Sequence, residues 1–339
     1  MMTKIKKLLS PGKIEIKSIL LSILTIVIFI MLWGVFSNSL KNKSIASQVE
    51  KARKEQGDEA AKILQNCFDT NGEECKVSTL PSPLNVKNAI VSLWEDHKDN
   101  QIKKAEFEAE TKEINEQRIK DGEEPIVYTG RPSFIEKIVT SLKTVFVGVL
   151  LAFLLAVPVG IVLGLSETTR QAVNILIQIF KPMSPVVWLL LVSMIINTLM
   201  EGVEANKSFL ISAISVAFCA MWPTLVNTTI GVSSVDKDYL NVAEVLRLNT
   251  FQKITKIILP SSIPMIFTGL RITVSSAWMV LIAIELLAQS PGLGSFVWEE
   301  FQSGAMDSNS KIIVAMFVIG IIGYFLDRIM ITVQKWVTF

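Results

Sequence analysis

The chain has 339 residues, half of them hydrophobic, with a mean hydropathy of +0.46 and a formal net charge of +2. That hydropathy points to a membrane protein, and the near-neutral charge leaves no footprint for nucleic acid. Three cysteines are too few for a disulfide scaffold, and the single histidine, His97, sits in a charged stretch that argues against a metal centre.

Six apolar spans follow along the chain, near 19–36, 144–165, 172–199, 208–230, 261–288 and 312–334. Each approaches or exceeds the roughly 20 residues that cross a bilayer. The first is longer than the apolar core of a signal peptide and no small-residue cleavage site follows it, so it reads as an anchor. Lys4, Lys6, Lys7, Lys13 and Lys17 against Glu15 place the N-terminus inside, and six crossings bring the C-terminus inside as well. The 231–256 loop, with Lys237, Arg247, Lys253 and Lys256, then falls on the cytoplasmic side. The 289–310 loop, with Glu299, Glu300, Asp307 and no basic residue, falls outside.

Residues 37–139 form an external segment. Between Glu95 and Glu124, 17 of 30 residues are charged, and Lys104/Glu108, Glu108/Lys112 and Glu116/Lys120 have the spacing that supports an exposed helix. A second helical pattern runs from Ile45 to Asn66, so the segment reads as a solvated helical hairpin, or as a docking surface for an external partner. Cys67 and Cys75 lie here, in NCFDTNGEEC. They read either as a small-loop disulfide in an oxidising compartment or as two free thiols. Cys219 reads as apolar filler in a span. LPSPLNV at 80–86 predicts an extended stretch, followed by the amphipathic run NAIVSLW.

Four features within the spans are costly for a membrane. KPMSP (Lys181–Pro185) removes backbone donors and adds a charge. It reads as a broken helix lining an anion path, or as a packing kink whose lysine reaches the cytoplasmic interface. Arg271, in FTGLRITV, and Glu285, in LIAIELLAQS, lie 14 residues apart on one helix, nearly in phase and about 21 Å apart along its axis. They mark two levels of a protein-facing stripe, as functional ions or as locks to neighbouring helices. Asp327 and Arg328 lie near the cytoplasmic end of the last span and read as interfacial. No phosphate loop of the G-x-x-x-x-G-K-[ST] type, no nucleophile elbow and no metal pattern occurs, so no catalytic residue and no cofactor is assigned to this chain. Energy for uphill transport would come from a partner or an ion gradient.

The cytoplasmic stretch NVAEVLRLNTFQKITKIILP (Asn241–Pro260) carries an apolar patch, Val242, Val245, Leu246 and Leu248, with Glu244 and Arg247 as polar handles. Such a helix suits a partner's groove. A second short helix, Phe251–Leu259, is predicted to lead to a joint at Pro260.

These residues resemble the permease subunits of bacterial ATP-binding-cassette importers. The family's cytoplasmic loop reads E-A-A, three residues, G, nine residues, I-x-L-P. This chain matches at Ala243, Ile257, Leu259 and Pro260 and departs at Asn241, Val242 and Arg247, the last standing where the family has glycine. LPSP (80–83), TSLKTVFVG (140–148), VPVGIVLGLS (157–166), KPMSPVVW (181–188), MWPTLVNT (221–228), FTGLR (267–271) and PGLG (291–294) resemble the nitrate, sulfonate, taurine and bicarbonate branch. KPMSP, DKDYLNVAEVLRL and SPGLGSFVWEEFQ look most like its nitrate permeases.

The resemblance implies a permease fold of the type I importer kind and a place in the inner membrane. Together with the six spans and the charge pattern it gives an all-α polytopic protein with a helical external insertion, divided into 1–36 (tail and first helix), 37–139 (external, a segment whose role the resemblance does not supply) and 140–339 (permease core, coupling loop 231–260). It implies a second permease copy, cytoplasmic ATPases that carry the ATP and magnesium, an external substrate-binding protein and surrounding lipid. Asn241, Val242, Ala243, Glu244, Arg247 and Leu248 would couple to the ATPase. Lys181, Ser184, Pro185, Trp188, Arg271 and Glu285 are candidates to line the path. A taurine, sulfonate or bicarbonate importer, an ATP-independent anion carrier and a membrane scaffold are the rival readings.

Overall fold

The computed structural model describes residues 16–70, 79–201, 207–305 and 307–337, and side chains from residue 20 onward. The described residues are helices joined by short connections, with no strand among them. In chain order these are α1 (Ile16–Gln56), α2 (Asp58–Asp69), α3 (Pro83–Lys120), α4 (Phe134–Leu165), α5 (Glu167–Phe180), α6 (Pro185–Leu199), α7 (Lys207–Ala220) and α8 (Trp222–Ser233). They continue as α9 (Lys237–Val245), α10 (Thr250–Lys253), a π-helical turn (Ile254–Ile258), α11 (Leu259–Ala288), α12 (Leu293–Ser303) and α13 (Ser308–Val337).

Four of these helices, α1, α4, α10 to α11 taken together, and α13, are long and apolar enough to cross a membrane. The number rises to six if each of two bent pairs counts as one span. The predicted third span is the pair α5–α6, bent by 100° at residues 181–184. Pro182 and Pro185 supply no backbone donor there, so the α-ladder cannot run through. The fourth span is the pair α7–α8, bent by 42°. Pro223, at the start of α8, removes another donor.

The chain divides into two compact units, the first comprising Met1–Ser92 with Ser303–Val314 and the second Leu93–Gln302 with Ala315–Phe339. In the first unit, α1 continues unbroken beyond its apolar portion to Gln56. It then reverses at Gly57, whose φ of 92° favours a residue without a β-carbon. The buried Ser37 hydroxyl donates to the Leu80 carbonyl at 2.7 Å, and Asn309 donates to the Thr79 carbonyl. Cys75, and with it the Cys67–Cys75 pairing, lies outside the described residues.

In the second unit, α4, α7, α8 and α11 form the packed centre. Their facing positions are small: Ala152, Ala156, Ala213, Ala217, Ala220 and Ala277 are buried. Lipid is as apolar as leucine, so these helices associate through close contact rather than through the hydrophobic effect. Gly160 shows the tolerance: a β-carbon there would come within 2.7 Å of the Thr228 β-carbon. Polar pairs cross the same interfaces, Thr224 with Thr273 at 2.8 Å and Ser212 to Ser290 at 3.0 Å.

The charged stretch between Glu95 and Glu124 is one helix, the outer part of α3, and the second helical pattern, Ile45–Asn66, lies in the end of α1 and in α2. Residues 121–132 return along α3 without helical structure. Asn115 holds both backbone groups of Ile126, at 2.7 and 2.9 Å, and Arg118 holds Glu123 and the Glu124 carbonyl. At its base, Asn100, Gln101 and Lys104 converge on Glu136 in the first turn of α4, which also forms a capping box with Ser133.

Candidate functional site

The loop between α8 and α11 is built residue by residue around a helix end. Asp236 caps α9 through the Asp238 amide. Nine residues on, α9 terminates in a Schellman arrangement: the Arg247 amide donates to Glu244 (2.9 Å) and the Leu248 amide to Ala243 (3.0 Å). This motif requires a left-handed residue at the position after the cap, and Arg247 adopts it with φ of 49°. Arg247, which stands where the family pattern has glycine, thus takes up a conformation that favours glycine. Asn249 then caps α10, in a reciprocal capping box with Gln252. The N-x-x-Q spacing in the sequence signals this cap.

The loop presents a divided surface. Ala243 is buried, whereas Val242, Val245 and Leu246 are exposed, Val245 by 82 %. Asn241, Glu244 and Arg247 are exposed beside them, and Leu248 is half-buried beneath. Three large apolar side chains at a short helix's end, left exposed by the described residues, suit a partner's groove.

Pro260 is not a joint in the sense expected. The helix passes straight through it. The Leu259 amide bonds to the Ile254 carbonyl, one residue beyond the α register, and Pro260 follows within the first turn of α11. The π turn accommodates the missing proline donor without a break, so α10 to α11 is one rod of 39 residues.

The candidate path residues fall in separate places. Lys181 closes α5, Ser184 caps α6 through the Val186 amide, and Pro185 is the first helical residue. Lys181 and Ser184 are exposed, while Trp188, one turn into α6, is buried. Arg271 lies on α11 and makes a two-point ion pair with Asp327 of α13, at 2.8 and 3.2 Å. Sequence reasoning treated these two residues separately. Their meeting depends on the crossing of α11 and α13, which no local pattern reports.

Glu285, 1 % exposed, lies elsewhere on α11. The Ser141 hydroxyl lies 2.7 and 2.9 Å from its two oxygens, and the Gly294 amide donates to it at 2.9 Å. Ser141 also accepts from the Leu293 amide at 2.9 Å. The carboxyl thus holds the first turn of α12 and ties it to α4, with the free amides of a helix N-terminus facing an acid. A methyl group at Gly292 or Gly294 would overlap Glu285 itself, which explains the PGLG sequence. Farther along α12, Glu299 accepts from Arg131 (2.6 Å) and from the buried Lys137 (2.7 Å). Burial pushes the Glu299 carboxyl up, but the hydrogen bonds from Lys137 and Arg131 outweigh it and hold it below the ordinary carboxylate value.

A cleft of about 510 Å³ between α4, α11 and α13 is lined by hydrocarbon alone, including Phe146, Phe153, Phe267 and Met330. It offers no donor to an anion. No group of three or more metal-ligating side chains occurs among the described residues.

Residues 156–338 match the family described as the binding-protein-dependent transport system inner membrane component. The chain belongs to this family. The match covers α5 to α13 with the end of α4, and so contains the loop around α9, the α5–α6 break, Arg271 and Glu285. Among curated relatives, the nitrate import permease protein NrtB of Synechococcus elongatus is 37% identical over 203 residues, 60% of this chain and 69% of the relative. NrtB of Leptolyngbya laminosa is 34% identical, over 57% of this chain and 65% of its own length. The bicarbonate transport system permease protein CmpB of Synechococcus elongatus is 32% identical, over 59% and 68%. The chain therefore spans about two thirds of the length of these permeases. In fold it resembles a chain of the MetNI methionine ABC transporter in an inward-facing conformation, with a TM-score of 0.53 at 13% identity, covering 60% of this chain and 96% of that one. The chain is a membrane permease with the fold of ABC importer subunits.

Proposed function

We propose that this permease is the membrane subunit of an ATP-driven importer of a small anion, nitrate in the first instance. The observation that carries the coupling half of this reading is the α9 end: a Schellman turn at Arg247 that holds Val242, Val245 and Leu246 outward. A cytoplasmic ATPase docks there, one on each of two permease copies, and hydrolyses ATP with magnesium. The rod that continues from α10 through α11 carries the movement into the membrane, because no break interrupts it before Ala288. An external binding protein delivers the anion, and the spans rock from outward-facing to inward-facing. The N- and C-termini lie in the cytoplasm.

Lys181, Ser184, Pro185 and Trp188 line the path at the α5–α6 break. Arg271 serves as a latch on Asp327 and adds positive field to the path only when that pair parts. Glu285 shapes the outer gate by holding α12. Nitrate as cargo is favoured by the higher identity to the nitrate permeases, and bicarbonate by the CmpB similarity of nearly the same extent.

The test is ATP hydrolysis by the reconstituted complex with its binding protein, stimulated in turn by nitrate, nitrite, cyanate, bicarbonate and taurine. Nitrate stimulation is expected to be largest, and to fall sharply in Arg247→Glu and Leu248→Asp. Stimulation that survives both substitutions removes α9 from the coupling role. Uptake by the permease alone, driven by a gradient, would establish an ATP-independent carrier instead.

A further inference from the structure

Buried polar atoms in a native protein find partners, and the exceptions ask for a cause. Trp278 obeys the rule by donating to the Ile319 carbonyl at 3.0 Å. Trp188 and Trp222 do not: each is 7 % exposed, and among the described residues the Nε1–H of each has no acceptor, as holds also for the less buried Trp298. The two indoles belong to one aromatic cluster. Phe180, the last residue of α5, lies 5.9 Å from Trp188 and 6.4 Å from Trp222, parallel to the latter within 1°. Trp188 in turn stacks on Phe218 of α7 at 5.1 Å. The cluster therefore bridges both bent pairs, with Trp188 just after the 100° break and Trp222 opening the helix that follows the 42° bend.

The surroundings favour negative charge. Helices α6, α7 and α8 contain no aspartate or glutamate. Lys181 stands at the break, and the N-terminal end of the 15-residue α6 faces it. An indole N–H donates and never accepts, so the N–H edges of the two rings suit an anion, whereas only their stacked faces could attract a cation. Each indole is neutral and supplies a single hydrogen bond. That can replace the loosely held water of a monovalent oxyanion but not the tight shell of a dianion such as sulfate.

We propose that Trp188 Nε1–H and Trp222 Nε1–H are the anion contacts of the transport path, unpartnered while the cluster is closed and engaged by a monovalent oxyanion when the two bends open. This rests on the anion-importer reading above and assigns its selectivity to two neutral donors. Leaving both donors without partners disfavours the closed arrangement, so the site is biased to open when an anion arrives.

The test uses the complete reconstituted complex, with Trp188→Phe, Trp222→Phe and the double substitution, which keep the ring stacking and delete the donors. At saturating nitrate-loaded binding protein, nitrate uptake should slow three- to tenfold per donor removed. Each substitution also removes buried volume, so thermal stability should fall modestly, and uptake is compared at equal amounts of assembled complex. Sulfate uptake should be absent throughout. Wild-type uptake of nitrate by the double variant would overturn the proposal. If the wild-type complex itself moves no nitrate, the importer reading fails first, which the variants alone would not show.

Discussion

Replacing Glu285 by alanine should loosen α12 from the bundle. The carboxyl is 1 % exposed, and its removal leaves two donors, the Ser141 hydroxyl and the Gly294 amide, without an acceptor in a site that water does not reach. Each such group costs about 1–3 kcal/mol, so the loss is about 2–6 kcal/mol before any cavity is counted. Glu285→Gln keeps an acceptor for Gly294 and misplaces only the Ser141 proton, for about 1–2 kcal/mol. For a chain of this size that corresponds to a fall in the thermal midpoint of roughly 5–15 °C for alanine and a few degrees for glutamine. The assay is thermal unfolding of the purified permease in detergent followed by tryptophan fluorescence, with Trp298 reporting from α12 itself. The reasoning is refuted if alanine and glutamine give equal midpoints within 2 °C of the native chain, for then the carboxyl does not hold the turn.

Other sites give outcomes of the same kind. Arg247 pays a left-handed penalty of about 1 kcal/mol, and glycine would remove it at a similar cost in unfolded-state freedom, so Arg247→Gly should leave coupling and stability nearly unchanged. Arg247→Val, β-branched in that conformation, should speed amide exchange at Leu248 and reduce coupled ATP hydrolysis. Asp327→Asn and Arg271→Gln should each lower the thermal midpoint, while the double substitution restores much of it, because an ion without its partner is worse at membrane depth than none. The Glu299 bridges should respond to acid. A carboxyl held below its ordinary value binds its proton less readily folded than unfolded. Its contribution is therefore full above the ordinary glutamate value, near 4.3, and is lost as pH falls through the depressed one. Glu299→Gln should flatten the acid limb of a thermal-midpoint profile.

The spans, the KPMSP break and the apolar patch on α9 were legible because each is written in neighbouring residues: a run of apolar side chains, two prolines, a helical spacing. Arg247 illustrates a subtler kind of legibility. Its departure from glycine was visible in the sequence, but only the backbone shows the left-handed turn itself. The bend in the fourth span at Met221 was missed, although Pro223 signalled it. What the sequence could not supply were the pairings between distant segments. Arg271 meets Asp327 across 56 residues, and Ser141 meets Glu285 across 144. Such contacts depend on which helices cross and at what height. The orphaned indoles are of the same kind, since Trp188 and Trp222 look like ordinary span residues until their surroundings are known.

The central claim, that ATP hydrolysis by a partner drives an anion through this permease, is tested most directly by nitrate uptake into proteoliposomes holding the permease, its ATPase and the binding protein. The account predicts accumulation that requires both ATP and the binding protein and that collapses in Leu248→Asp. Uptake that proceeds without ATP, or that Leu248→Asp leaves intact, would contradict it.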